Sequence, residues 1–300
     1  MHVPLFWQQR YVDLVGGSSS LRLVFDGNRW LISPGNEGFS LLTLNKSENT
    51  VHSPAQASYG GILKTKSYPQ QNPALLSSLT KHLISDGVSE FHITLAPEHL
   101  TNENLIPSEI YLNHGFTLKF ENISHYIEMK SWNKSALSKG NRKKLKQSRQ
   151  LGLIFEETPE SERKSCYNLI EVNRLSLGAK VSVSFSKLIE LMSTFPDKYF
   201  MYQLRSPDNG EIAATAVLVE TSPENLYVYL WADSLEFRSV SPIVFLLEGL
   251  IEKFSDKYNY LDLGTSAIDG DVLEGLARFK DNLGATRTNK KTVSWINPTL

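Results

Sequence analysis

One stretch of the sequence repeats the pattern of an earlier stretch, and this repeat constrains the fold more than any other feature. Residues 73–127 align without a gap on residues 242–296, a shift of 169 positions (242 minus 73). The two copies share an opening proline (Pro73, Pro242), an aromatic residue at the start of a buried strand (Phe91, Tyr260), a glycine that ends the next helix (Gly115, Gly284) and an aromatic–isoleucine pair in a closing strand (Tyr126-Ile127, Trp295-Ile296). The repeat therefore predicts two copies of one α/β unit.

The sequence outside the repeat predicts the remaining elements of a mixed α/β fold. Short apolar runs before residue 70 are bounded by glycine and proline turns, which is typical of antiparallel strands. Three strand patterns form a meander before the second copy: Tyr199–Arg205, Ile212–Glu220 and Leu226–Ala232. A chain of 300 residues can bury two cores. We expect mixed α+β sheets in two tandem domains, 1–130 and 156–300, with a basic connecting helix over 131–155.

The charge and the cysteine content exclude several classes of protein. The formal net charge is −1, so no overall field recruits nucleic acid or an anionic membrane, and any such attraction must be local. The single cysteine, Cys166, cannot form an internal disulfide, which indicates a reducing compartment, and its helical pattern favours a buried structural residue over a nucleophile. The sequence has neither a signal-peptide pattern nor an apolar run of about 20 residues, so we expect a cytoplasmic protein without a membrane span.

The segment between Glu128 and Glu156 contains no acidic residue, although the chain as a whole is nearly neutral. Its eight basic residues are Lys130, Lys134, Lys139, Arg142, Lys143, Lys144, Lys146 and Arg149. A run of this kind is usually a solvated helix face. Because no counter-charge accompanies it, the segment is also a candidate for binding phosphate, pyrophosphate or an RNA backbone.

Two charged residues distinguish the second copy of the repeat from the first. Asp262 lies in a strand and alternates to the face opposite its leucine neighbours, and Lys280 lies near the end of the next helix. The first copy has Ile93 and Tyr111 at the corresponding positions. Asp262 could accept a proton or hydrogen-bond loop amides, and Lys280 could serve chemistry or merely interact with the helix dipole at the surface. The second copy is therefore the candidate for catalysis.

The order and spacing of these residues resemble the tandem acetyltransferase-like (GNAT-like) domains of the Fem-type aminoacyltransferases and of the related BioF2-like acyltransferases. The resemblance covers nearly the whole chain. It rests on Tyr59-Gly60-Gly61 after His52 and Pro54, Asn141–Leu145 with Gly152-Leu153, Tyr229-Leu230-Trp231, Arg238 with Ser241-Pro242, Asp262-Leu263-Gly264, and Phe279-Lys280 with Gly284. One departure is Ser53, which separates His52 from Pro54 where the family usually has His directly before Pro.

The resemblance implies the transfer of an acyl or aminoacyl group from an activated ester or thioester to an amine. Lys280 matches the family's lysine at the reacting centre, where a cation stabilises the oxyanion of a tetrahedral intermediate. Asp262 is the second catalytic candidate. Residues expected to bind substrate are Phe279, Tyr229 and Trp231 in the second domain and Tyr59, Gly60 and Gly61 in the first. No metal is expected.

The donor is left open between two kinds of molecule. Acetyl-CoA-dependent relatives hold the pyrophosphate with an Arg-x-x-Gly-x-Gly/Ala loop, and this chain has Arg238-Ser239-Val240-Ser241-Pro242 at that place. Candidate phosphate ligands are Arg238, Ser239, Ser241, Arg142 and Lys143. We expect acyl-CoA as the donor and an amine of a cell-envelope or glycan precursor, such as a nucleotide sugar, as the acceptor. The alternatives are an aminoacyl-tRNA donor acting on a peptidoglycan-like precursor, and a binding module without catalysis.

Overall fold

The computed structural model describes residues 4–16, 20–25, 30–32, 40–54, 57–64, 73–100 and 104–300. The chain divides into two compact units. The first unit contains Met1–Ser124, Ala267–Val272 and Thr288–Leu300, and the second unit contains His125–Ser266 and Leu273–Arg287.

The described residues form eight α-helices and fifteen β-strands. The helices are α1 (Gln9–Gly16), α2 (Pro73–Ser85), α3 (Ser108–Leu112), α4 (Lys139–Gln150), α5 (Arg163–Ser176), α6 (Phe185–Thr194), α7 (Ile243–Phe254) and α8 (Glu274–Asn282). The strands are β1 (Ser20–Phe25), β2 (Trp30–Ile32), β3 (Ser40–Ser47), β4 (Thr50–Ser53), β5 (Leu63–Lys64), β6 (Glu90–Thr94), β7 (Thr117–Glu128), β8 (Ile154–Glu157), β9 (Tyr199–Arg205), β10 (Ile212–Ser222), β11 (Asn225–Asp233), β12 (Tyr260–Thr265), β13 (Ala267–Ile268), β14 (Asp271–Val272) and β15 (Thr286–Ile296).

The strands of the first unit follow the order β2-β1-β3-β4-β6-β15. Strands β4 and β6 are parallel, and Val51 lies opposite Phe91. Strand β15 is antiparallel to β6 on its other side, where Trp295 lies opposite Phe91. Leu76, Leu79 and Leu83 of α2 recur at helical spacing and are buried in the same core as these strands.

The second unit contains the predicted meander as β9, β10 and β11, which are antiparallel neighbours. Strand β12 is parallel to β11 and places Asp262 opposite Tyr227. Helix α7 is apolar on nearly all sides because it forms the centre of this core, and its residues Val244, Leu246, Leu247 and Leu250 have no exposed surface. Cys166 is buried, as the sequence predicts, and its thiol donates to Gln203 Oε1 at 3.0 Å.

The structure reproduces the internal repeat at the predicted shift. Strand β7 begins at Thr117 and β15 begins at Thr286, 169 residues apart (286 minus 117). Gly115 and Gly284 end the preceding helices with φ angles of 85° and 77°, a left-handed conformation that glycine adopts without strain. Each copy also pairs its buried strand in parallel with an earlier strand, β6 with β4 and β12 with β11.

The closing strand of the second copy is a member of the first unit from residue 288 onward. Its residues Thr292–Ile296 pair with β6, the buried strand of the first copy. The expected domains, 1–130 and 156–300, keep residues 288–300 in the second domain. In the structure these residues belong to the first unit. None of the described helices is long and apolar enough to cross a membrane.

Candidate active site

The end of β12 forms a tight turn that is held by the carboxylate of Asp262. Asp262 has 2% of its surface exposed, and its Oδ1 accepts a hydrogen bond from the backbone N–H of Gly264 at 2.7 Å. Gly264 has a φ angle of 75°, and a Cβ atom there would lie 3.3 Å from the ring of Tyr227. A carboxylate that accepts from the amide two residues later stabilises a turn of this kind. The described contact of Asp262 is therefore structural.

Helix α8 places Lys280 against the same turn. Its Nζ donates hydrogen bonds to the carbonyl oxygens of Gly264 at 2.9 Å and Thr265 at 2.8 Å. Lys280 has only 3% of its surface exposed, so it is not the surface lysine that the sequence left as an alternative. The site thus contains a buried ammonium group whose described hydrogen bonds are with neutral carbonyl groups.

The ring of Tyr227 lies beside this turn, and an aromatic pair joins β11 to α8. The ring of Trp231 meets the ring of Phe279 edge to face, with centroids 5.8 Å apart. Strand β11 pairs with β10 through a register shift at Tyr229, so Tyr227 and Trp231 do not share a face. Trp231 packs against the core that contains α7, whereas Tyr227 pairs with Val219, which is not part of that core. Burial raises the pKa of both tyrosines, and for Tyr227 the negative charge of Asp262 raises the pKa further. The sequence did not indicate Tyr227, because its position beside Gly264 follows from the pairing of β11 with β12.

Three polar residues adjoin Lys280, of which His125 and Ser266 are buried and Asp281 is partly exposed. His125 has no exposed surface, and its Nδ1 lies 3.2 Å from Ser266 Oγ. Its Nε2 lies 3.3 Å from Asp281 Oδ1, although these two atoms are not aligned as a hydrogen bond. Asp281 is also bound by Arg287 through contacts of 3.0 and 2.6 Å. No sequence signal joins His125 to the other residues, because it lies 141 positions from Ser266.

The imidazole of His125 is neutral at physiological pH. Burial and then the positive charge of Lys280 lower its pKa to about 4, and Asp281 offsets part of this effect. The pKa of the Asp281 carboxyl is held below its usual value, chiefly by the hydrogen bond from Arg287. The surroundings of Lys280 thus contain a neutral histidine and an ionised carboxylate that is paired with an arginine.

The loop before α7 adopts a backbone conformation that a glycine usually supplies. Ser241 has a φ angle of 46°, in the left-handed region. The carbonyl oxygens of Ser239 and Val240 are bound by Lys144 and by the hydroxyl of Ser148. Arg238 remains 45% exposed, with Nη2 3.7 Å from Asp233 Oδ1.

The basic segment forms α4, and its cations divide into two sets. Some bind the protein itself: Arg142 donates to the carbonyl oxygens of Leu137 and Ser135, Lys144 to that of Ser239, and Arg149 to the carboxylate of Glu248. A second set, Lys139, Lys143 and Lys146, is exposed at spacings of four and three residues and therefore lies on one face of the helix. We call this second set the lysine face.

The loop Tyr59–Gly61, which the sequence predicts to bind substrate, contacts neighbouring residues of the first unit. Tyr59 is buried, and its ring lies 5.4 Å from the ring of Phe6. The N–H of Gly60 donates to Thr94 O at 2.8 Å, and the N–H of Gly61 donates to Ser53 Oγ at 3.3 Å. A direct contact between a substrate and this loop stays a prediction. Among the described residues, no group of three His, Cys, Asp or Glu side chains is placed to hold a metal ion.

Comparison with known proteins relates this chain to others through structure. No family model matches the sequence, and no curated protein matches it. The crystal structure of FemX superposes with a TM-score of 0.68 at 12% identity, over 98% of this chain and 93% of FemX. The chain has the fold of FemX.

Two further structures share this FemX-like fold. L-PGS from Bacillus licheniformis matches with a TM-score of 0.57 at 12% identity, over 92% of this chain and 84% of its own. The C-terminal domain of a putative lysylphosphatidylglycerol synthetase from Agrobacterium fabrum matches with a TM-score of 0.56 at 12% identity, over 91% of this chain and 82% of its own. The predicted mixed α/β class and the Fem-type resemblance are confirmed at the level of the fold.

Proposed function

We propose that this protein is a cytoplasmic acyltransferase that moves an acyl group from an activated donor to an amine and forms an amide. The favoured donor is an acyl-CoA, and the favoured acceptor is an amine of a cell-envelope or glycan precursor such as a nucleotide sugar. Lys280 carries this proposal, because its ammonium group is buried and hydrogen-bonded to neutral carbonyls at the end of β12. The FemX-like fold supports the same class of reaction.

The reaction we propose needs positive charge near the carbonyl of the donor. Attack by the amine forms the C–N bond and places negative charge on the carbonyl oxygen. A fixed cation in a site shielded from water stabilises this oxyanion more than it stabilises the neutral ground state. When the intermediate collapses, the C–S bond of a thioester breaks, the thiolate leaves with the electron pair, and the nitrogen loses its proton to the thiolate or to water. We assign Lys280 the role of electrostatic stabiliser.

The neighbouring residues take supporting roles in this proposal. Asp262 positions the turn whose carbonyl groups bind Lys280, since its described hydrogen bond goes to the amide of Gly264. The edge-to-face pair of Phe279 and Trp231 provides an apolar wall for the acyl group, and Tyr229 stays a predicted substrate contact. Asp262 is therefore a positioning residue, and the aromatic residues contact the substrate.

The loop before α7 supports acyl-CoA as the donor. Ser241 has a left-handed backbone, and the exposed guanidinium of Arg238 lies in the same turn. The positive end of the α7 dipole favours a phosphate group, although the N–H groups of Val244 and Phe245 already donate to Ser241 O and Pro242 O. The two contacts from α4 to Ser239 and Val240 fix the loop from the other side.

The lysine face of α4 favours the alternative donor, an aminoacyl-tRNA. No ion pair or hydrogen bond is described for Lys139, Lys143 or Lys146 in the part of the chain that the structure covers. Three exposed cations in one row suit a phosphate backbone. Affinity for tRNA that depends on this face should fall steeply with salt.

Binding and transfer measurements on three proteins separate the two donors. The proteins are the wild type, Arg238→Ala, and Lys139→Gln/Lys143→Gln/Lys146→Gln. We expect acetyl-CoA to bind the wild type, Arg238→Ala to weaken binding about tenfold, and the triple variant to bind as the wild type does. Amide formation with amine acceptors is followed by mass spectrometry and by release of free thiol. The alternative outcome is that the wild type binds charged tRNA but not acetyl-CoA, and that the triple variant loses the binding of tRNA. In that case the donor is aminoacyl-tRNA. Absence of amide product with either donor contradicts the proposal.

A further inference from the structure

The C-terminal end of α5 exposes three large aliphatic side chains. Val172, Leu175 and Leu177 have 53%, 64% and 67% of their surface exposed. In the part of the chain that the structure describes, no other stretch of six residues holds three large hydrophobic side chains that are this exposed. The opposite face of α5 is buried through Cys166 and Ile170. An exposed apolar group of this kind is typical of a surface that binds a partner.

A closed turn holds these side chains outward. The N–H groups of Leu177 and Ala179 donate to Arg174 O at 3.0 and 2.9 Å, and the N–H of Gly178 donates to Leu175 O at 3.0 Å. Gly178 has a φ angle of 71°, so the helix ends in the left-handed conformation that glycine favours. Because the turn is closed by its own hydrogen bonds, its leucines stay outward at fixed positions. We call residues 172–180 the docking turn.

The docking turn is basic and contains no acidic residue. No aspartate or glutamate occurs between Glu171 and Glu190, whereas Arg174 and Lys180 flank the two leucines. Among the described residues, no carboxylate forms an ion pair with Arg174 or Lys180. Glu171 instead interacts with Tyr167. The turn thus combines exposed aliphatic groups with two cations whose charge is not matched by a described ion pair.

We propose that the docking turn binds the surface of an anionic lipid bilayer. Leu175 and Leu177 insert between the acyl chains, and Arg174 and Lys180 lie against the headgroups. Apolar side chains with adjacent cations bind such an interface through the burial of apolar area and through attraction to anionic lipid. This binding goes beyond the proposed transfer reaction and does not depend on it.

The same charges argue against a second copy of the chain as the occupant. A symmetric pair of copies places the same surface on both sides of the interface, so the cations of two docking turns would approach each other. A stable protein interface also buries about 800 Å² on each partner, which is far more than three side chains offer. A bilayer requires no shape complementarity and supplies negative charge over its whole surface.

The docking turn adjoins the candidate active site. The side chain of Asn173, within the docking turn, donates to Asp233 O at 3.2 Å. Asp233 ends β11, shortly before the loop that carries Arg238. Arg174 lies near enough to Tyr227 for its charge to offset part of the rise in the pKa of that tyrosine. Binding through the docking turn therefore brings the candidate site close to the bilayer surface.

The test is co-sedimentation of the full chain with lipid vesicles, without donor or acceptor present. The vesicles are phosphatidylcholine alone, or an equimolar mixture of phosphatidylcholine and phosphatidylserine. We expect the protein to bind the mixed vesicles and to bind the neutral vesicles about tenfold or more weakly. Binding to the mixed vesicles should weaken as NaCl rises from about 0.1 to about 0.5 M.

Two double variants separate the apolar contacts from the charged ones. Leu175→Ser/Leu177→Ser should weaken binding to the mixed vesicles about tenfold or more, because less apolar area is buried in the bilayer. Arg174→Gln/Lys180→Gln should reduce the affinity for the mixed vesicles to that for the neutral vesicles.

Two further double variants are the matched controls. Leu118→Ser/Leu300→Ser changes two exposed leucines of the first unit and should not alter binding. Lys143→Gln/Lys146→Gln removes two cations of the lysine face and should not alter it either. Loss of vesicle binding in the latter variant would place the contact on α4 and overturn the proposal.

A fluorescent label tests insertion directly. Leu177→Cys can be labelled selectively, because the native Cys166 is buried. The emission of an environment-sensitive label at residue 177 should shift to the blue on mixed vesicles, whereas the same label on Leu118→Cys should not shift. The proposal is overturned by an unshifted label at residue 177 or by equal binding of the wild type to both vesicles. It is also overturned by a dimer in sedimentation velocity that Leu175→Ser/Leu177→Ser dissociates, without binding to vesicles.

Discussion

The ammonium group of Lys280 and the carbonyl group of Gly264 are joined by a hydrogen bond of 2.9 Å, although sixteen residues separate them. The N–H of Gly264 is bound in turn by Asp262 at 2.7 Å. A cation and a carboxylate thus fix the turn at the end of β12. Because these two charged groups contact the turn at different atoms, their roles can be separated by substitution.

Replacement of Lys280 by methionine keeps the apolar stem and removes the cation. We expect kcat to fall about a hundred- to a thousandfold, because the oxyanion loses its stabilising charge. The free energy of unfolding should also fall by about 1–3 kcal/mol, because two buried carbonyl groups lose their donor. Initial rates and urea unfolding measure the two effects. Lys253→Met, on the exposed side of α7, should change neither. A folded Lys280→Met protein with wild-type kcat contradicts the assignment.

Replacement of Asp262 distinguishes a positioning residue from a general base. Asparagine keeps an oxygen that can accept from the N–H of Gly264, whereas alanine does not. We therefore expect Asp262→Asn to keep most of the activity and stability, and Asp262→Ala to lose about 1–2 kcal/mol of unfolding free energy. Urea unfolding and the pH dependence of kcat measure both variants. If Asp262→Asn loses as much rate as Asp262→Ala, the residue is a base.

Substitution of Gly264 tests the turn through its backbone. Alanine at a φ angle of 75° is strained, and its Cβ would lie 3.3 Å from the ring of Tyr227. We expect Gly264→Ala to lower the free energy of unfolding by about 1 kcal/mol or more. Gly275→Ala, in α8 with no atom within 4 Å of its Cβ, is the matched control. It should leave stability unchanged or raise it by up to about 1 kcal/mol. Equal effects of the two variants would show that the left-handed turn is not required.

His125 should make the stability of the protein depend on pH. Its pKa is lowered from 6.5 to about 4 in the folded state, so the unfolded chain binds more protons between these values. The contribution of the neutral imidazole is therefore complete above pH 6.5, and up to about 3 kcal/mol is lost as the pH falls towards 4. The groups around the ring that set this pKa are Lys280, Asp281 and Arg287.

Urea unfolding at several pH values checks this dependence. Comparison with His125→Gln isolates His125 from the other histidines, since only its own contribution differs between the two proteins. The variant should be less stable at pH 7.5 and should show a smaller loss of stability between pH 6.5 and 4.5. Identical slopes for the two proteins would contradict a neutral, buried His125.

The local patterns of the sequence predicted most of the fold. The meander of β9, β10 and β11, the basic helix α4 and the repeat at a shift of 169 residues all appear where the sequence indicates them. Periodicity and turn residues act over a few neighbouring positions, so a sequence displays them directly. The second copy was also distinguished from the first by Asp262 and Lys280, because the repeat aligns them with apolar and aromatic residues.

The tertiary structure decided what those residues contact. The sequence placed Lys280 near the end of a helix, and only the packing of α8 on β12 buries its ammonium against Gly264 and Thr265. The same holds for His125, which meets Ser266 across 141 residues of sequence. The membership of residues 288–300 in the first unit was likewise invisible in the repeat. The pattern of a strand specifies which of its faces is buried. Which strand pairs with its edge depends on the backbone N–H and C=O groups that the folded chain brings beside that edge.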